Sequence, residues 1–142
     1  MRSSTGLALV LLAAGCTEPT QPVRDVVLDV ERVAWDQSDL TVTYLASNAT
    51  GDSVLVGPAC GGRVGGLLEQ QTAAGWQVIA GGQCQAIHDM GPVRLADGGR
   101  LQATLGVSRL AEGWYRLRLN YSLFSGRAVE RNAFSEPFEL RE

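Results

Sequence analysis

The stretch "LAEGWYRLRLNY", Leu110 to Tyr121, decides the fold. Tyr115, Leu117, Leu119, Tyr121 and Leu123 alternate with Trp114, Arg116, Arg118, Asn120 and Ser122. A period of two sends one set to each face of a strand, so this segment reads as a strand with one face in a core. The same period recurs outward from it. Leu101, Ala103, Leu105 and Val107 alternate with Gln102, Thr104, Gly106 and Ser108, and Leu40, Val42, Tyr44 and Ala46 with Thr41, Thr43, Leu45 and Ser47. An apolar-rich run over 26–33 and a short strand over 53–57, stopped by Pro58, precede them, and turn residues fill 48–52. A last strand covers 134–140, where Pro137 predicts an edge or a bulge. No long stretch follows a helical period. Seven to eight short strands with turn signals between them predict an all-β fold, a single antiparallel β-sandwich, with a small closed barrel as the alternative.

Turn, glycine, any residue, tyrosine and then an alternating strand resembles the late strand of immunoglobulin-like and fibronectin-like domains. In that family a tyrosine hydroxyl bonds the backbone a few residues upstream, the structural tyrosine corner. The resemblance gives this role to Tyr115, with Leu110 packed beneath it. Val93 to Gly99, followed by the strand at Leu101, is similar to the preceding segment of such domains. In strand order the chain also resembles, more weakly, the proteinase-inhibitor-like sandwich domains of bacterial exported proteins. The Cys-Trp-Cys core arrangement of antibody domains is absent.

The N-terminus carries an address. Met1-Arg2 supplies one positive charge, and 6–15 form an uncharged apolar run of about ten residues, half of what a bilayer-spanning helix needs. Leu12-Ala13-Ala14-Gly15-Cys16 resembles the lipobox of bacterial lipoproteins, with Ala13 where leucine is commonest. The resemblance implies lipidation of Cys16 with diacylglycerol and palmitate-type chains, and removal of 1–15 as a signal peptide. Other readings are an ordinary signal peptide with a chance cysteine, or a buried core helix. Thr17 is not the aspartate that signals inner-membrane retention in many such proteins, so the expected location is the cell envelope, anchored to the outer membrane. Residues 16–25, with Pro19 and Pro22, read as a flexible tether, and 26–142 as the sandwich domain.

All 12 basic residues are arginine against 15 acids, a formal charge of −3. A mildly acidic chain lacks the basic footprint of nucleic-acid binding. After Cys16 two cysteines remain, Cys60 and Cys84, and an oxidising compartment predicts one disulfide between them. A hairpin over 64–80 turning near residue 72 accounts for it. Leu68 then faces Trp76, Gly66 faces Val78, and Cys60 faces Cys84 at the open end, flanked by glycines on both sides.

Chemistry is scarce. The single histidine, His88, has Asp89 beside it, but neighbours on a strand face opposite ways and no motif marks a nucleophile. Two thiols and one distant histidine do not complete a metal site. "GPACGGRVGG" lacks the lysine and hydroxyl of a phosphate loop. These observations predict no catalytic residues, no metal and no cofactor. Arg116 and Arg118 share one strand face, with Arg109, Arg127 and Arg131 as candidate neighbours. With Trp114, turned outward if Tyr115 turns in, they form a candidate partner-binding patch. Packing by a neighbouring loop is the other reading of Trp114, as of Trp35 and Trp76. The expected protein is a lipid-anchored, non-enzymatic binding or structural domain facing an envelope protein or polymer; the alternative is a protease inhibitor presenting a disulfide-braced hairpin.

Overall fold

The computed structural model describes residues 24–36, 39–60, 63–81, 90–108, 110–124 and 129–141. The expected signal peptide, Cys16, most of the expected tether, Cys84, His88, Arg109 and Arg127 lie outside them. Among the described residues there are eleven strands and no helix: β1 (Val26–Asp36), β2 (Asp39–Asn48), β3 (Val54–Cys60), β4 (Arg63–Val64), β5 (Leu67–Thr72), β6 (Gly75–Gly81), β7 (Met90–Leu95), β8 (Arg100–Ser108), β9 (Gly113–Leu123), β10 (Glu130–Phe134) and β11 (Phe138–Leu140).

They form an antiparallel, sandwich-like arrangement of two open sheets. The smaller has the order β1-β2-β8. The larger is built on β9, which is long enough to hold two partners in succession along each edge. On one edge β5 pairs with 115–118 and β3 with 121–123; on the other β11 pairs with 113–115 and β10 with 118–122. The handover from β3 to β5 has a local cause. Beyond Val56 the register of β3 breaks, and Ala59 and Cys60 turn to pair with Val64 and Arg63 of β4. The chain then re-enters the sheet as β5. The expected seven to eight strands become eleven among the described residues: β4 and β7 are additional, and the last expected strand, 134–140, starts earlier and breaks into β10 and β11.

That break is where Pro137 sits. Ser135 is buried there, and its hydroxyl stands in for the ladder, accepting from the Leu117 N–H at 2.9 Å and donating to the Glu136 carbonyl at 2.9 Å. A proline cannot donate to a ladder, so the edge strand is split into β10 and β11 around it.

The two inner faces meet in one core. Leu40, Val42, Tyr44 and Ala46 from β2 face Tyr115, Leu117, Leu119 and Tyr121 from β9, all buried. The buried apolar area is the dominant driving term, about 1.5–3 kcal/mol for each large aliphatic side chain. The Tyr115 hydroxyl donates to the Ala111 carbonyl at 2.5 Å, closing the turn that launches β9, and Leu110 packs against the core nearby. Burial pushes the Tyr44 phenol up to about 12, partly offset by a hydrogen bond with the Gly66 backbone.

The hairpin differs from the expected one in register. β5 and β6 turn through Ala73 and Ala74, with Gly75 at φ 102°, a backbone glycine adopts freely. Gln71 therefore faces Trp76, Glu69 faces Val78 and Leu68 faces Ala80, a shift of several residues. Cys60 lies in β3, opposite Arg63 and Met90, and not on an arm of this hairpin. The argument that set Cys60 across from Cys84 at the hairpin's open end does not hold in this register. The reason is the β4 turn, which consumes the residues a continuous arm needs.

Candidate functional site: the outer face of the larger sheet

The alternation of β9 leaves Trp114, Arg116, Arg118, Asn120 and Ser122 on the side of the larger sheet away from the core. The registers add neighbours to the same face: Glu69 beside Arg116, Leu67 and Phe134 beside Arg118, and Val78 beyond Glu69. The two arginines converge on one carboxylate. Arg116 Nε donates to Glu69 Oε2 at 2.8 Å, and Arg118 NH1 donates to Glu69 Oε1 at 2.9 Å. Glu69 is 3% exposed. An ionised carboxylate at that depth needs cationic partners, and it has two, one for each oxygen.

Aromatic rings finish the arrangement. The Arg116 guanidinium lies 4.5 Å from the Trp76 ring centre and 4.2 Å from that of Phe134, so it is held between rings from β6 and β10. A guanidinium in this setting gains from both ring faces. The side chains of one row thus interlock across four strands: β6, β5, β9 and β10.

A second stack lies further along the face. Arg94, on β7, sits 4.2 Å from the Phe124 ring centre and donates to Ser53 Oγ at 3.2 Å. Between the two stacks runs a shallow groove of about 380 Å³ lined by Leu55, Gly57, Pro92, Asn120, Ser122 and Glu130 among others. At its Arg118 end, Arg118 Nε and Asn120 Oδ1 are buried without a hydrogen-bond partner. Two unmet polar atoms side by side are uncommon, since each costs about 1–3 kcal/mol.

Arg116, Arg118 and Trp114 therefore share this face, with Trp114 46% exposed at its other end. Arg131 does not join them. It pairs with Tyr121, an inward position, and a hydrogen bond from it offsets part of the rise that burial and Asp25 impose on the Tyr121 phenol. Trp76 belongs to the cluster, and Trp35 stands apart on β1. Sequence reasoning missed Glu69, Phe134 and Phe124. Glu69 sits in "LLEQQT", where the alternation is too weak to show which face it takes, and the other two need the β9–β10 and β3–β7 pairings to be known. Among the described residues no group of His, Cys, Asp and Glu is arranged to hold a metal ion.

No known family model matches the chain, and no curated protein matches it.

Proposed function

We propose that the chain is a lipid-anchored, non-enzymatic binding domain of the bacterial cell envelope, and that it docks a protein partner through the outer face of its larger sheet. The observation that carries the reading is the Arg116 guanidinium fixed between Trp76 and Phe134 over a buried Glu69. Arginine and aromatic side chains are the residues that concentrate binding energy in protein interfaces. Here they are already immobilised, so little side-chain entropy remains to be lost on docking. Because Glu69 neutralises much of the charge of the pair, the face suits a partner that offers apolar contact and hydrogen-bond groups more than a bare anion. Val78, Trp114 and Phe134, each more than 40% exposed, supply the apolar part.

Anchoring follows from the lipobox. Lipid on Cys16 tethers the domain through the proline-containing segment, and two or more acyl chains give stable attachment. Metabolic labelling with an alkynyl fatty acid tests this part: label on the wild type and none on Cys16→Ala is the expected result, and label on both refutes it. The docking face is tested by photo-crosslinking from residues 114 and 78 in living cells, against the exposed residue 27 on β1 of the opposite sheet. Adducts from 114 and 78 that disappear in a Trp76→Ala, Phe134→Ala double variant support the reading. Equal crosslinking from all three positions rejects it. Cys60 and Cys84 form a disulfide in this proposal, with the backbone of Cys60 paired to β7, the strand that follows Cys84 in the chain.

A further inference from the structure

Open sheets end in strands whose outer backbone groups are unpaired, and such edges are usually blunted by a bulge, a proline, a charge or shortness. The edges of this sandwich show those devices, with one exception. β1 carries a bulge between Val30 and Arg32. β6 is irregular opposite Leu68 and Glu69, β7 holds Pro92 and a register break, and β10 and β11 are five and three residues long around Pro137. β8 has none of them beyond a single charge, Arg100, at its first position. It runs nine residues in unbroken register with β2, and among the described residues it pairs with no other strand. Its inward side chains Leu101, Ala103 and Val107 are only partly buried, so the core is left open along this edge.

We infer that β8 is the association edge for a second copy of this chain, paired antiparallel with its counterpart about a two-fold axis at Thr104. The strand is self-complementary in that register. Leu101 faces Val107 and Ala103 faces Leu105 on the inner side, continuing the core from one copy into the next. Gln102 faces Gly106 and Thr104 faces Thr104 on the outer side. Gly106 has nothing within 4 Å of where a Cβ would lie, so it leaves room for the glutamine. Arg100, the one charge in the strand, faces Ser108, so no like charges oppose each other. The charge is instead answered one strand further on. Ser108 pairs with Asp39 of β2, which puts the partner copy's Asp39 on the same outer face as Arg100, two strand spacings or about 10 Å away and within reach of an arginine. The two-fold repeats this at the other end. Pairing joins two three-stranded sheets into one of six through the same strand of each copy, as an isologous contact requires, and leaves the Arg116 face of each copy uncovered.

The test is sedimentation equilibrium of the full-length chain in density-matched detergent. The expected result is a reversible dimer whose dissociation constant rises at least tenfold in Thr104→Glu and in Thr104→Arg, and returns to the wild-type range when those two variants are mixed. Thr104 is exposed, and an unchanged urea midpoint confirms that each variant folds. As an independent readout, Thr104→Cys gives a reducible dimer on mild oxidation while Thr43→Cys, interior to the same sheet, does not. A monomer at every concentration overturns the inference. So does a dimer that both charge variants leave intact, which is the outcome of association through the micelle or through another face.

Discussion

Asn48 offers the sharpest test of how the two sheets are held together. It closes β2, is 2% exposed, and uses every polar atom it has. Its Nδ2 donates to the carbonyls of Asp52 at 2.7 Å, Leu95 at 3.0 Å and Ala96 at 3.0 Å, while its Oδ1 accepts from the Thr50 N–H at 3.0 Å and the Thr50 hydroxyl at 2.8 Å. Its backbone accepts from Gly98 and donates to Gly99. One side chain thus ties the smaller sheet to the 49–53 loop and to the end of β7 in the larger sheet. Two hydrogens and one oxygen give about four effective bonds, each worth about 1 kcal/mol net. Asn48→Ala therefore costs about 4 kcal/mol, a large part of the stability of an ordinary domain, and lowers the melting temperature by roughly 15 °C. Asn48→Asp keeps the shape but points a carboxylate at three carbonyls. Its folded pKa is raised above the usual value near ~3.9, so its native form holds a proton that the unfolded chain releases, and stability falls as pH rises through that window. The deficit of Asn48→Asp relative to wild type is expected to shrink on going from pH 7 to about pH 4, where a protonated carboxyl regains one donor. Urea unfolding followed by tryptophan fluorescence reads both effects as midpoint shifts at constant slope. A loss below about 1 kcal/mol for Asn48→Ala, or an Asn48→Asp deficit indifferent to pH, refutes this account.

Three further outcomes follow from the same structure. Tyr44 is neutral and buried with a pKa raised to about 12, so the native state holds its proton between about pH 10 and 12 while the unfolded chain does not; stability falls by about 3 kcal/mol over that range. Tyr44→Phe flattens that part of an alkaline unfolding curve, leaving the smaller contributions of Tyr115 and Tyr121, whose phenols burial also raises. Glu69→Gln leaves two largely buried guanidinium groups without a counter-charge and costs about 2–3 kcal/mol by urea unfolding; a change within error shows that the triad is idle. Cys84→Ser lowers stability by about 3 kcal/mol if Cys84 pairs with Cys60, and thiol titration of the unfolded wild type then finds at most one free cysteine.

The parts of this fold legible in the sequence are those where one residue's environment is decided by its immediate neighbours. β9, β2 and β8 have one solvated and one buried face, and their side chains alternate accordingly. The turn ahead of Tyr115 was expected from a family resemblance and not from alternation; the carbonyl that its hydroxyl reaches, that of Ala111, lies four residues upstream. The register of β5 with β6 was not. A hairpin's pairing depends on which residues form its turn, and Thr72-Ala73-Ala74-Gly75 allows several centres; the positive φ of Gly75 selects one. Nor was the β3–β4 turn visible, because glycines on either side of Cys60 and Cys84 serve a straight arm and a reversal equally well. The outer-face site was half legible. Arg116, Arg118 and Trp114 follow from alternation alone, whereas Glu69, Trp76 and Phe134 reach them only through strands that are distant in sequence.

Glu69 is where the proposed docking role and stability make different demands. Burying an ion triad on a sheet surface is a poor way to gain stability, because desolvation takes back most of the Coulomb attraction, and an apolar residue of similar size usually serves as well. The neighbours would accept one: Val78 pairs with Glu69 across the hairpin, and Leu67 and Trp76 share the face with it. A carboxylate there does something leucine cannot, which is to fix the orientation of two guanidinium planes. Arg116 held by Glu69 alone is free to swing about one bond, and Arg116 held by rings alone is free to slide between them. Held by both, it presents its remaining N–H groups in one direction. A fold that needed only to persist has no use for that constraint; the docking role proposed for this face would use it.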